Sequence, residues 1–148
     1  MRKNRNFSQG VFSPKHPEKY KGSFPIAYRS KWELVCMRRL DSNPNIICWG
    51  SESVVVPYPN PLTGRVSRYF VDFNVTLRDK QGEIRKFLVE IKPHSQTLPP
   101  NQKVRNPRTL IRQQAEYIKN QAKWKAAEEY ANKKGSSFVV LTEKHLGL

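Results

Sequence analysis

The sequence predicts a mixed α/β (α+β) domain in which one central mixed sheet is flanked by helices. Three observations lead there. The runs Tyr69–Val75 and Phe87–Lys92 are rich in aromatic and β-branched residues, as strands are. Between them, Asp79-Lys80-Gln81-Gly82 has the chemistry of a turn, so the runs pair as a hairpin. A long helical segment then precedes a last apolar run. It is a crossover that lets the final strand lie parallel to a neighbour. The expected order is helix, three strands, helix, strand.

Residues 1–26 form a basic N-terminal arm with Arg2, Lys3, Arg5, Lys15, Lys19 and Lys21 among prolines and glycine. Two readings are open: an extended arm that orders on a partner, or a tail packed over the domain and anchored by Phe12, Tyr20 and Phe24. The domain proper spans 27–148. Ser30-Lys31-Trp32-Glu33 matches a capping box and starts a helix over 30–41, with Trp32, Val35, Cys36, Arg39 and Leu40 near one face. Asn43-Pro44-Asn45 ends it. Ile46–Trp49 is a short edge strand and Ser53–Tyr58 a clearer one, finished by a proline-rich turn over Pro57–Pro61. After a loop rich in proline, Asn106-Pro107 reads as N-cap and first residue of the long helix. Its expected apolar stripe is Ile111, Ala115, Ile118, Ala122 and Ala126; a second stripe holds Gln113, Tyr117, Asn120 and Trp124. Lys133-Lys134-Gly135 stops it, and Ser137–Thr142 is a buried closing strand.

Length and charge narrow the function. The 148 residues suffice for one real core. Lys and Arg number 27 against 12 Asp and Glu, a net charge of +15. A domain this basic faces a polyanion, and nucleic acid is the first candidate partner. Cys36 and Cys48 lack zinc spacing and are expected to be buried, reduced thiols. No apolar window is long enough for a membrane span, and the N-terminus lacks the apolar stretch of a signal peptide. His16, His94 and His145 do not pair at metal-ligand spacing.

Side chains alternate across a strand. Phe87, Val89 and Ile91 therefore share one face of the second run, and Leu88, Glu90 and Lys92 share the other. Asp72 lies on the neighbouring run among bulky residues, where a lone carboxylate is costly without a partner. Two carboxylates and a lysine are the parts a Mg²⁺-dependent phosphodiesterase needs: oxygen ligands for the ion, and an amine near the attacking water. Glu33 offers a third acid, and capping its own helix is an equal alternative. Glu90 and Lys92 read equally as an ordinary charged pair on an exposed strand.

The order Glu33, Asp72, Glu90-Ile91-Lys92 resembles the PD-(D/E)XK nuclease superfamily, with Val71-Asp72 standing in place of Pro-Asp. Tyr28-Arg29-Ser30-Lys31-Trp32-Glu33, Trp49-Gly50-Ser51-Glu52, Arg68 to Phe73, Glu90-Ile91-Lys92-Pro93 and Ala122-Lys123-Trp124 resemble the head completion nucleases of T-even-type phages. They are also similar to TnsA-like endonuclease domains. The resemblance covers roughly residues 27–143. It implies a restriction-endonuclease-like α-β-β-β-α-β core. It also implies that Asp72, Glu90 and the Ile91 carbonyl bind Mg²⁺ (with Mn²⁺ as a substitute), and that Glu33 reaches the metal directly or through water. Lys92 then acts on the attacking water.

The implied activity is a DNA endonuclease, with exonuclease action open, that works on packaged phage DNA at head completion before tail joining. Its implied partners are head, portal or neck proteins. Its implied place is the host cytoplasm during assembly and the head–neck region of the virion. Expected DNA contacts are Arg29, Lys31, Arg68, Lys103, Arg105, Arg108, Arg112, Gln113, Tyr117 and Lys123. The spacing of Gln113 and Tyr117 resembles a motif of some exonuclease branches, and a polar helix face explains it equally well. Two other functions stay open. A non-enzymatic basic adaptor at the head or neck accounts for the charge but not for the acids beside a lysine. A TnsA-like transposition endonuclease uses the same site, and this short chain shows no second domain for a transposase partner.

Overall fold

The structure, a computed structural model, describes residues 9–103 and 105–147. Short strands β1 (Gly10–Phe12) and β2 (Ile26–Tyr28) lead into helix α1 (Lys31–Ser42) and strand β3 (Ile46–Ser51). Strands β4 (Val55–Asn60) and β5 (Arg65–Phe70) form one hairpin; β6 (Phe73–Arg78) and β7 (Ile84–Ile91) form another. Helix α2 (Pro107–Lys133) crosses to β8 (Ser137–Leu141), and a single helical turn follows, α3 (Glu143–Leu146). The main sheet runs β3-β6-β7-β8, with β7 antiparallel to β6 and parallel to β8. With the β4–β5 hairpin set aside as an insertion, the order is α-β-β-β-α-β, a restriction-endonuclease-like core.

Local chemistry accounts for the helix ends. The Ser30 hydroxyl accepts from the Glu33 N–H, and the Asn106 side chain accepts from the N–H groups of Arg108 and Thr109. Gly135 takes the left-handed φ of +70° that ends α2. The sheet then buries both faces. Met37, Trp49, Phe73, Val89 and Ile91 build one core on the α1 side. Leu88 joins Val56, Tyr58, Tyr69, Val71, Ala127 and Ala131 in a second core beneath α2. The alternation expected along β7 is thus present.

Several expectations are corrected. The run Tyr69–Val75 is two strands, because the chain changes sheets at Val71-Asp72. There the Val71 N–H donates to the Val54 carbonyl (3.1 Å) and the Asp72 carbonyl accepts from the Glu52 N–H (3.0 Å). Pro57 and Pro59 lie inside β4 and do not form a turn. Among the described residues β4 is hydrogen-bonded only to β5, so its other edge tolerates residues that lack an N–H. The buried face of α1 holds Cys36, Met37, Leu40 and Asp41, while Arg39 is exposed. On α2 the buried residues are Asn120, Ala127 and Ala131, whereas Ile111 and Ile118 are 65% and 48% exposed. Small residues sit where α2 approaches β4 closely. β8 is half-buried because it is an edge strand, and Cys48 is half-buried as well. Burial, the largest cause, pushes the Cys36 thiol up to about 12.

Within the N-terminal segment, residues 9–26 pack over the domain. Phe12 and Tyr20 set ring edges against Trp49, at centroid distances of 6.0 and 4.8 Å. Each such pair contributes about 0.5–1.5 kcal/mol beyond its area. Phe24, the third expected anchor, is 59% exposed. Buried Asp41 accepts from the N–H groups of Lys15 (2.8 Å) and His16 (3.0 Å) and fixes the segment to α1. Arg2, Lys3 and Arg5 lie outside the described residues. Among the described residues, no helix is long and apolar enough to cross a membrane.

Candidate active site

The Phe73–Val89 pairing puts Asp72 level with Glu90. Both carboxyls, with Lys92, line one cleft of about 570 Å³. Asp72 sits at the junction between β5 and β6, where its side chain accepts from the Ile91 N–H at 2.8 Å. That bond ties the acid to the strand carrying Glu90 and Lys92. Glu90 is 5% exposed. Burial first, and the facing Glu90 charge second, push the Asp72 carboxyl up to about 8. Among the described residues, no lysine or arginine forms an ion pair with either acid.

A buried and a half-buried carboxyl without a cationic partner among the described residues are an arrangement that a hard divalent cation stabilises. Among the described residues, no group of three or more His, Cys, Asp or Glu side chains is placed to hold a metal ion. An ion here would complete its shell from a backbone carbonyl, water and substrate phosphate, as magnesium commonly does.

Glu33 stands beside the cleft and is engaged in its own helix cap. It accepts from the Arg29 N–H (3.1 Å) and lies 3.4 Å from the Ser30 hydroxyl. Burial, the largest cause, raises its carboxyl above the usual range, and its charge in turn reaches Asp72. Only the Ser30 half of the expected capping box is formed, because the Glu33 carboxylate binds the N–H of Arg29, one residue before the N-cap.

Of the expected DNA contacts, Arg29, Arg68 and Lys123 line the cleft. Lys31, Lys103, Arg105 and Arg108 are exposed elsewhere. Arg112, Gln113 and Tyr117 line a separate cavity. Three cleft residues were not singled out for a role in the chemistry. Glu52 holds a strained φ of +52° and binds Arg29 through two bonds of 2.8 and 3.1 Å. The Tyr69 hydroxyl is buried without a hydrogen-bond partner among the described residues, and burial followed by the Glu90 charge raises its pKa. The Lys123 ammonium lies 5.9 and 5.4 Å from the centroids of the Tyr58 and Tyr69 rings, and burial lowers its pKa. All three lie in residue strings that carry the family resemblance, and Lys123 was an expected DNA contact, but their roles beside the acids had no signal in the sequence. The places of Tyr69 and Lys123 depend on how α2 lies over β5.

A mixed sheet with two carboxyls and a lysine at one strand junction defines a restriction-endonuclease-like protein. Residues 43–143 match the TnsA-like endonuclease N-terminal family, and the chain belongs to it. It is 38% identical over 142 residues to the head completion nuclease of Enterobacteria phage T4, covering 93% of this chain and 92% of that protein. No solved structure gives a significant match.

Proposed function

We propose that this chain is a Mg²⁺-dependent DNA endonuclease that acts on packaged phage DNA at head completion, before the tail joins. One observation carries the reading: half-buried Asp72 and buried Glu90 line one cleft beside Lys92, without a cationic partner among the described residues. The protein around them carries a net charge of +15. Asp72, Glu90 and the Ile91 carbonyl would hold the ion, with Glu33 reaching it directly or through water, and Mn²⁺ would substitute. Once bound, the ion would supply an activated water and charge neutralisation at the phosphorus centre. Lys92 orients that water and stabilises the developing negative charge. Arg29, Arg68 and Lys123 grip the phosphates on either side, so binding weakens steeply with salt. The name of the T4 relative supports work in the host cytoplasm on a head that later meets portal or neck proteins.

A basic DNA-binding adaptor is the competing reading, favoured only by the charge. Incubating purified protein with plasmid in Mg²⁺, Mn²⁺ or EDTA separates the two. The nuclease cuts with either metal and not in EDTA. Retention of DNA without cutting in either metal refutes the proposal.

A further inference from the structure

One acid of the cleft belongs neither to the pair nor to α1. Glu52 directly follows β3 and lines the same cleft as Asp72 and Glu90. Its φ of +52° lies in the left-handed region, where a residue with a Cβ is uncommon. Backbone strain of this kind persists where surrounding contacts over-determine it. Two contacts do so here. The Glu52 N–H donates to the Asp72 carbonyl at 3.0 Å, at the junction where the chain changes sheets. The Glu52 carboxylate accepts from both terminal nitrogens of Arg29, at 2.8 and 3.1 Å. Arg29 is held at its other end as well, because its backbone N–H donates to Glu33 at 3.1 Å.

The pair adds little to folding. Its side chains are 64% and 37% exposed, and exposed ion pairs stabilise proteins only marginally. What it does is fix a plane. A guanidinium carries its N–H donors in a rigid fork. Glu52 takes one donor from each terminal nitrogen, and the rest of the fork remains for a phosphate. Among the described residues, Arg29 has no other ion-pair partner. Without the Glu52 brace, the guanidinium would keep its charge on an exposed, flexible side chain. It would then have to give up its rotamer freedom at the moment of reaction.

We infer that Glu52 is a positioning residue, which aims the Arg29 guanidinium at a phosphate oxygen beside the paired acids. This rests on the nuclease reading, since the phosphate is that of the DNA being cut. Holding DNA needs the Arg29 charge, whereas cutting needs its direction. Loss of Glu52 therefore separates the two. It also takes a negative charge out of a cleft that receives a polyanion, so affinity does not fall.

The test is a double-mutant cycle on Arg29 and Glu52 with the full chain. Single-turnover cutting is read at saturating duplex in Mg²⁺, and duplex affinity in EDTA. Glu52→Ala cuts about 10- to 100-fold more slowly, with affinity equal to that of the unmodified protein or tighter. Glu52→Gln keeps one acceptor for Arg29 and recovers part of the rate. In an Arg29→Ala background, Glu52→Ala slows cutting no further. Glu52→Gly relaxes the strained φ; it melts no lower than the unmodified protein and cuts as slowly as Glu52→Ala. An undiminished rate in Glu52→Ala overturns the inference. Equal losses in the two backgrounds also overturn it, and assign Glu52 a direct contact with the ion or the DNA. Joint loss of rate, affinity and melting point in Glu52→Gly overturns it in favour of a role in the fold. Each of these leaves the nuclease reading standing. Absence of cutting by the unmodified protein in both Mg²⁺ and Mn²⁺ refutes that reading, and the inference with it.

Discussion

Replacing Asp72 by Asn tests the electrostatics of the paired acids without any DNA. Burial and Glu90 raise the Asp72 carboxyl from its ordinary 3.8 to about 8 in the folded chain. Between those values the folded protein holds a proton that the unfolded chain has released. The metal-free protein therefore loses stability as pH rises through this window. One proton corresponds to about 1.4 kcal/mol per pH unit, so the loss between pH 5 and pH 7 is at most about 2.7 kcal/mol. For a domain of this size that lowers the melting point by about 5–10 °C. Asn carries no charge, and its carbonyl oxygen still accepts from the Ile91 N–H. Thermal melts in EDTA across this range therefore show a steeper fall for the unmodified protein than for Asp72→Asn. At pH 7.5, Mg²⁺ restores stability to the unmodified protein and not to the variant. Equal pH slopes for the two proteins would refute the paired-acid reasoning.

The remaining predictions concern packing. Asp41→Ala removes the acceptor for two backbone N–H groups of the N-terminal segment. It costs about 1.5–3 kcal/mol in urea unfolding, and a change under about 0.5 kcal/mol would mean the segment is not held there. Ala127→Leu overpacks the contact between α2 and β4 and costs about 1–3 kcal/mol. Ile118→Gln, on the exposed face, changes stability by less than about 0.5 kcal/mol. The reverse order of effects would place the inner face of α2 wrongly.

The hairpin of β6 and β7 was legible because its signals are local: alternation, aromatic and β-branched content, and a turn at Asp79–Gly82. The helix caps at Ser30 and Asn106 were legible for the same reason. Strand alternation put Glu90 and Lys92 on one face, whereas Asp72 was grouped with them by the residue order of the family the chain resembles. The break at Val71-Asp72 was not legible, because partners distant in sequence impose it: Val54, Glu52 and Ile91. The inner face of α2 was misjudged for a related reason. Its isoleucines suggested burial, but close approach to β4 selects alanines at 127 and 131. Glu52 carried no pattern of its own, since its strained backbone and its bond to Arg29 exist only once β3 and β6 have paired.

The most direct test of the central claim is single-turnover cleavage of a DNA duplex in Mg²⁺ by the unmodified protein, Asp72→Asn and Lys92→Ala, with binding measured in parallel. The account predicts cutting by the unmodified protein and loss of cutting in both variants, with DNA affinity largely kept. Cutting by either variant at the unmodified rate would contradict it.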